Sequence, residues 1–186
     1  AAKFWFDRKC VEIGDVAHSQ DAAAKPGETV LSGRAEVLMK GSLHSDELLS
    51  AVAKKETGLR TARRISHVFI MDVPDHPETL FITDAAVNIF PDLMAKRDIV
   101  QNAIDLFHGL GLGTPKVAIL SAVETVTISI PSTLEAAALC KMADRGQITG
   151  GILDGPLAFD NAISPEAAAI KGIKSMEQRE MINSLS

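Results

Sequence analysis

The residues best suited to chemistry in this sequence stand at Lys40-Gly41-Ser42, with His44 just after them. They follow a short apolar run, Val37-Leu38-Met39, of strand type, and precede a helix that begins at Ser45 as N-cap. A strand that passes into a helix through Lys, Gly and Ser is a natural anion site. Gly lets the backbone come close, the N–H groups of the helix terminus point outward, and Lys40 brings positive charge. His44 can add a contact to an oxyanion. The order K-G-S with no earlier glycine is not the Walker pattern. The same residues also make an ordinary strand–helix loop with a solvated lysine.

Other groups carry weaker signals. Asp84, Asp154 and Asp160 each follow a strand-like run. They can act as bases or hold their loops by bonding neighbouring N–H groups, and the second role is the commoner one for Asp. Arg60, Arg63 and Arg64 form the one basic cluster. It suits a phosphate-rich ligand, or is a solvated stretch of charge. His18, His44, His67, His76 and His108 show no H-x-x-H or H-E-x-x-H spacing, so no metal site is expected. No G-x-S-x-G elbow marks a hydrolase nucleophile. The run Gly109, Gly111, Gly113 leaves a helix and enters a strand, the reverse of a dinucleotide fingerprint, and reads as a plain helix-to-strand connection.

The elements that must position these groups read as follows. Val11 to Val16 is a strand, and Ser19 to Leu31 a helix that Pro26-Gly27 should stop or kink. The helix from Ser45 has Asp46 and Glu47 in its first turn, an apolar face of Leu48, Leu49 and Val52, and an end at Thr57-Gly58. Ile65 to Val73 and Thr79 to Thr83 form an antiparallel hairpin across the turn D-V-P-D-H-P. Asp92 caps a helix with Leu93, Lys96, Val100, Ala103, Ile104 and Phe107 at helical spacing, and Gly109 lies just past its end. Lys116 to Ala122 is a strand buried on both faces. Ser132-Thr133-Leu134-Glu135, after Pro131, is a capping box for a helix reaching about Arg145. Gly150 to Gly155 is a short strand ending in a polar turn, and Ser164-Pro165-Glu166 starts a helix reaching about Lys171.

This alternation predicts an α/β fold with a largely parallel sheet and one antiparallel hairpin. Ligands of such sheets sit outside the carboxyl ends of the strands. The loops Lys40–Ser45, Asp84–Asn88, Ser121–Thr125 and Asp154–Asn161 would then line one edge.

A length of 186 residues allows one domain, or one and part of another. The net charge of −5 argues against nucleic acid as the main partner. Two distant cysteines, Cys10 and Cys140, fit a reduced, cytoplasmic protein better than a disulfide scaffold. No apolar run approaches the roughly 18 residues of a membrane span, so no membrane partner is expected. Phe4, Trp5 and Phe6 would be exposed aromatics, which points to a missing upstream part.

Seven segments in unbroken order resemble one family. They are L-M-K-G-S-L-H-S-D-E-L, R-R-I-S-H-V-F-I-M-D-V-P, L-F-I-T-D-A-A-V-N-I-F-P-D, D-I-V-Q-N-A-I-D-L, P-K-V-A-I-L-S-A-V-E-T-V, I-P-S-T-L-E-A-A-A-L-C-K-M-A-D-R-G-Q-I-T-G and D-G-P-L-A-F-D-N-A-I-S. The family is the phosphate acetyltransferase/phosphate butyryltransferase family, in the form also found as the C-terminal half of a bifunctional enoyl-CoA hydratase/phosphate acetyltransferase. The resemblance covers residues 34–173, leaving 1–33 as a poorly matched remnant of a first lobe and 174–186 as an unmatched polar tail.

The resemblance implies an isocitrate/isopropylmalate dehydrogenase-like three-layer sandwich, with a cleft between two α/β lobes and the first lobe incomplete. It implies exchange of an acyl group between acyl phosphate and coenzyme A, with CoA as substrate, no other cofactor, and a homodimer. That chemistry needs a base for a thiol of pKa near ~8.5. It also needs donors for the tetrahedral oxyanion and a cationic or N–H-rich pocket for the phosphate. Lys40, Gly41, Ser42 and His44 match the family's cleft loop and take the phosphate role. Ser66, Asp84, Asn88, Ser132 and Thr133 match cleft-edge segments, and Asp154 and Asp160 lie in D-G-P-L-A-F-D. Three departures matter. Pro26-Gly27 falls where the family has uninterrupted helix, and Thr127-Ile128-Ser129 differs from the family's usual Asn/Pro-Lys flavour. Nothing from Met176 to Ser186 matches the family's C-terminal Ser, Arg and Asp that orient the thiol, bind phosphate and act as base. The expectation is an acyltransferase whose isolated 186-residue chain is inactive or nearly so. The alternative is a non-catalytic CoA- or acyl-phosphate-binding or dimerisation module. A dehydrogenase of the same fold is a weaker third reading, because the clustered aspartates of a hydroxy-acid metal site are missing.

Overall fold

A computed structural model describes residues 11–55, 58–74 and 79–173. Phe4, Trp5, Phe6, Cys10, Thr57, His76 with most of the hairpin turn, and the tail from Lys174 lie outside the described residues. The chain divides into two compact units, Ala1–Arg63 and Arg64–Ser186.

The first unit is built on two helices, α1 (Ser19–Leu31) and α2 (Ser45–Val52). α1 runs on through Pro26 and Gly27 and so does not stop there, the first of the two outcomes expected of that pair. Proline removes its own N–H bond and crowds the carbonyl four residues before it, but Ala22-Ala23-Ala24-Lys25 ahead of it are strong helix formers. Ala23 and Gly27, four apart, form the buried face. The apolar runs expected as strands are not strands. Val11 to Val16 and Val37 to Met39 are irregular, and Val37 and Met39 are 81% and 90% exposed. A strand needs a neighbour for its N–H and C=O groups, and among the described residues none pairs with these runs. α2 has His44 as its N-cap, places Ser45 in the first turn, and ends at Val52, short of Thr57-Gly58. Beyond it the chain folds back, with the Leu59 N–H donating to Val52 O at 2.8 Å. A Cβ at Gly58 would lie 2.2 Å from that oxygen, so the return requires glycine.

The second unit begins with the expected hairpin, β1 (Val68–Met71) antiparallel to β2 (Leu80–Thr83), in register from Val68 with Thr83 to Met71 with Leu80. α3 (Leu93–Gly109) follows, and Asp92 Oδ1 caps it by accepting from Ala95 N–H at 2.7 Å. Gly109 is the last helical residue, and the left-handed turn falls at Gly111, φ 72°. β3 (Lys116–Leu120), α4 (Pro131–Asp144) and β4 (Ile152–Leu157) form a strand–helix–strand crossover, with β4 parallel to β3. Two short helices close the described chain, α5 (Phe159–Ile163) and α6 (Pro165–Ile170), the latter capped by Ser164 as expected.

Val100 and Ile104 of α3, Leu139 of α4 and Ile148 are the buried centre, with Val117, Ile119 and Leu153 packed on it. Ile104 and Leu139 are each 1% exposed, and burying such a side chain contributes about 1.5–3 kcal/mol. Among the described residues the strands form two two-stranded sheets, one antiparallel and one parallel, in place of one largely parallel sheet. β3 has one neighbour and is half-buried, so the expectation of burial on both faces is not met.

Candidate functional site

Lys40, Gly41, Ser42 and His44 stand together ahead of α2. Lys40 Nζ donates to Leu43 O at 3.3 Å, and all four residues are exposed. Ser42, Leu43 and His44 line an open concavity with Ser19, Ala22 and Glu47, and Ser19 Oγ donates to Glu47 Oε1 at 3.0 Å. The first turn of a helix has N–H groups with no acceptor of its own. Here, however, Asp46 and Glu47 sit in that turn and already compensate its positive end. The loop presents one exposed cation ahead of a helix terminus that is partly neutralised.

Asp84 is differently placed. Oδ1 accepts N–H bonds from His67 (3.2 Å), Ala86 (3.3 Å) and Val87 (3.2 Å). Oδ2 accepts from the Asn88 N–H at 2.9 Å and from the Asn88 side-chain amide. Burial pushes this carboxyl up, but the bonds from the Asn88 side chain and the N–H groups of Val87, Ala86 and Asn88 outweigh it and hold the pKa below its ordinary value. Asn88 also donates Nδ2 to Ile65 O at 3.0 Å and accepts from Arg64 Nη1 at 3.4 Å. Ser66 Oγ accepts from Asn102 Nδ2 at 2.9 Å. The structure therefore joins Asp84, Asn88 and Ser66 in one network with Arg64 and Asn102, and gives Asp84 the work of holding the loop.

The carboxyl ends of β3 and β4 carry a third cluster. Ser121 N–H donates to Leu157 O at 2.8 Å, and Ser121 Oγ lies 2.7 Å from Ser132 Oγ in the first turn of α4. Neither hydroxyl meets a histidine or carboxylate among the described residues, so the pair is suited to donating hydrogen bonds and has no base to make it a nucleophile. Ser132 is not the cap of a capping box. Ile130 is the N-cap and Pro131 the first helical residue, where its missing N–H costs nothing, so the S-x-x-E box falls inside the helix. Thr133, fully buried, does the tying instead: its hydroxyl accepts from Thr127 N–H at 2.9 Å and donates to Ile130 O at 2.7 Å. Glu135 pairs with Lys96 of α3.

Asp154 lies within β4, buried, and not in a loop after it as expected, because the strand continues through Gly155 and Pro156. Its Oδ1 accepts from Gly155 N–H at 2.9 Å. Asp160 in α5 pairs with Lys171 at 3.1 Å, and Lys171 also reaches Glu124 at 3.3 Å. The hydrogen bond from Lys171 holds the Asp160 carboxyl below its ordinary pKa, and the bond to Asp160 raises that of Lys171. Glu124 further accepts from the buried Asn161 amide. Among the described residues no three His, Cys, Asp or Glu stand together as a metal site, and no helix is long and apolar enough to cross a membrane.

The sequence profile described as Phosphate acetyl/butaryl transferase matches residues 7–179. The chain belongs to this family. Over 94% of its length it is 71% identical to a phosphate acetyltransferase of Rhizobium meliloti, and covers 55% of that protein. Over 93% of its length it is 44% identical to a phosphate butyryltransferase of Clostridium acetobutylicum, covering 58% of it. Among solved structures it is similar to a branched-chain phosphotransacylase from Enterococcus faecalis V583, with a TM-score of 0.73 at 33% identity over 85% of this chain and 55% of that one. The chain thus spans about half the length of the phosphate acyltransferases it matches.

Within this chain, the sequence-derived candidates fall into separate groups. Lys40, Gly41, Ser42 and His44 are together in the first unit. Ser66, Asp84 and Asn88 are together around the start and end of the hairpin, and Ser132 and Thr133 open α4. Ser121, Glu124 and Asn161 fall in the loops expected to line the sheet edge, though residue patterns named none of them singly, and they pointed to neither Asn102 nor Lys171. Ser121 carried a usable signal, since it is the first polar residue after a predicted strand. Asn102 and Lys171 carried none, because their partners lie 36 and 47 residues away.

Proposed function

We propose that the protein bearing this chain is a phosphate acyltransferase, moving an acetyl or butyryl group between an acyl phosphate and coenzyme A. The observation that carries this reading is the 71% identity, over nearly the whole chain, to a protein named phosphate acetyltransferase. In the reaction the CoA thiolate attacks the acyl carbon, the C–S bond forms, and the C–O bond to phosphate breaks with phosphate leaving. Lys40, Gly41, Ser42 and His44 fit the phosphate side, as an exposed cation and polar groups ahead of a helix, with Ser42 and His44 lining the concavity. Ser66, Asn88, Ser132 and Thr133 line or brace the cleft edge, while Asp84, Asp154 and Asp160 hold loops and strands in place. No residue of this chain is assigned to thiol activation. The finer architecture in this reading is a dehydrogenase-like three-layer sandwich of two lobes, acting as a cytoplasmic homodimer with CoA as substrate and no further cofactor.

The test is to replace the aligned stretch of the Rhizobium meliloti protein with this sequence and follow thioester formation from acetyl and butyryl phosphate. Turnover is expected, and the ratio of the two rates gives the acyl preference. A folded chimera with no turnover, beside a 186-residue chain whose melting temperature still rises with CoA, would replace the enzyme reading with that of a binding module.

A further inference from the structure

Arg64 lies in the irregular stretch before β1, and α3 holds its backbone from both sides. Its N–H donates to Asp98 Oδ2 at 3.0 Å, and its C=O accepts from Asn102 Nδ2 at 2.8 Å. Asp98 is a buried carboxylate, 8% exposed. Such a group is costly to desolvate unless its oxygens are well used, and Oδ1 meets Arg97 at 2.6 and 3.1 Å. An arginine that only meets water gains little from a backbone fixed by a buried anion, because its long side chain keeps its own freedom.

The side chain is also directed. Nη1 donates to Asn88 Oδ1 at 3.4 Å, a long contact that yields readily to a better acceptor. Asn88 is itself fixed by Asp84 and by Ile65 O. Asp84, the carboxylate that fixes Asn88, has both oxygens occupied by N–H donors. Among the described residues the Arg64 guanidinium makes no ion pair, and one of its five N–H groups is used. A planar guanidinium of this kind, on an anchored backbone, is a two-pronged receptor for phosphate oxygens.

We propose that Arg64 binds a phosphoryl group of the substrates, through paired N–H donors presented by the Asp98–Asn102 anchor. The inference rests on the acyl-phosphate and CoA reading above. Both substrates carry a terminal phosphate: the leaving group of the acyl phosphate, and the 3′-phosphate of CoA. The binding chemistry is the same for either.

The experiment titrates the full 186-residue chain with inorganic phosphate, CoA and dephospho-CoA by calorimetry at low salt. Wild type is compared with Arg64→Gln and Arg64→Lys, with thermal melts recorded in parallel. Loss of a charge-assisted contact should weaken binding about ten- to a hundredfold in Arg64→Gln. Arg64→Lys should lose less, since it keeps the charge without the fork, and it carries the comparison if the Gln variant does not fold. A loss for inorganic phosphate places Arg64 on the acyl-phosphate side. A loss for CoA with none for dephospho-CoA places it on the 3′-phosphate. Unchanged affinities, with or without a lower melting temperature, overturn the inference and leave the acyltransferase reading standing. A wild-type chain that binds none of the ligands also overturns the inference, while the acyltransferase reading is decided separately by turnover of the chimera.

Discussion

The Lys40–Ser45 loop and the Asp84–Asn88 loop look alike in sequence, each a polar stretch after an apolar run, and they fold into opposite kinds of object. In the first, the lone cation makes one 3.3 Å bond to the carbonyl of Leu43, and its apolar flank is exposed. In the second, one carboxylate gathers N–H groups from His67, Ala86, Val87 and Asn88, and Asn88 passes the restraint on to Ile65 and Arg64. The difference is the supply of partners. A carboxylate accepts several N–H bonds at once and turns a loop into a fixed scaffold. A lysine ahead of a helix whose first turn holds Asp46 and Glu47 makes one long bond to a carbonyl and stays exposed. Charge in the one loop holds the chain together, and in the other it stands exposed to solvent.

The comparison is broken most directly at Asp84. Asp84→Ala leaves several N–H groups in a half-buried loop without their acceptor, and should cost roughly 2–3 kcal/mol of stability, read from urea denaturation. Asp84→Asn, which keeps one acceptor oxygen, should cost less. A loss in Asp84→Ala no larger than that of an ordinary surface substitution, about 0.5 kcal/mol, would mean that water replaces the carboxylate and the loop is no scaffold.

Acid should sharpen the same contrast with a smaller effect. The folded chain holds the Asp84 carboxyl below its ordinary value of 3.8, so the folded state binds this proton less readily than the unfolded state. The stability it contributes is therefore present above the ordinary value and is lost as pH falls through the folded one. Denaturation midpoints of the wild type should drop as the pH is taken below about 4, and those of Asp84→Asn should drop less over the same window. Asp160 and Glu166 titrate in the same direction but are exposed, so they are present in both proteins and cancel in the difference. Parallel curves for the two proteins would remove Asp84 from the account.

What could be read from sequence, and what could not, follows the range of the forces involved. Asp92, the hairpin strands, Ser164-Pro165 and the strand–helix–strand from Lys116 to Leu157 were legible, because caps, alternation and proline act within a few residues. Val37-Leu38-Met39 misled, since an apolar run becomes a strand only where another strand can take its hydrogen bonds. Pro26 misled in the other direction, because the helix formers beside it absorb the loss of one bond. S-T-L-E matched a capping pattern, yet the helix starts two residues earlier, with Ile130 as N-cap and Pro131 as its first residue, and leaves Ser132 to meet Ser121. The family was legible from runs of residues in order. The Arg64 anchor was not, since Asp98 and Asn102 lie 34 and 38 residues further along and reach back only once α3 packs beside the hairpin.

The smallest effect on stability is expected at Lys40. Its contact to Leu43 O is long and exposed, and nothing else in the described chain bonds its ammonium. Removing it as Lys40→Ala should move stability by no more than about 0.5 kcal/mol. The same substitution should weaken binding of inorganic phosphate, because the positive end of α2 is already compensated by Asp46 and Glu47, and Lys40 is the loop's remaining source of attraction. The attraction is exposed and screened, so the weakening should itself fade as salt is raised. That salt dependence separates Lys40 from Arg64, whose anchored fork should hold its phosphate with less sensitivity to salt. A stability loss in Lys40→Ala as large as that of Asp84→Ala would erase the distinction between a loop that binds and a loop that braces. An unchanged phosphate affinity would move the anion site away from Lys40-Gly41-Ser42 altogether, and leave Arg64 as the group in this chain to which phosphate is held.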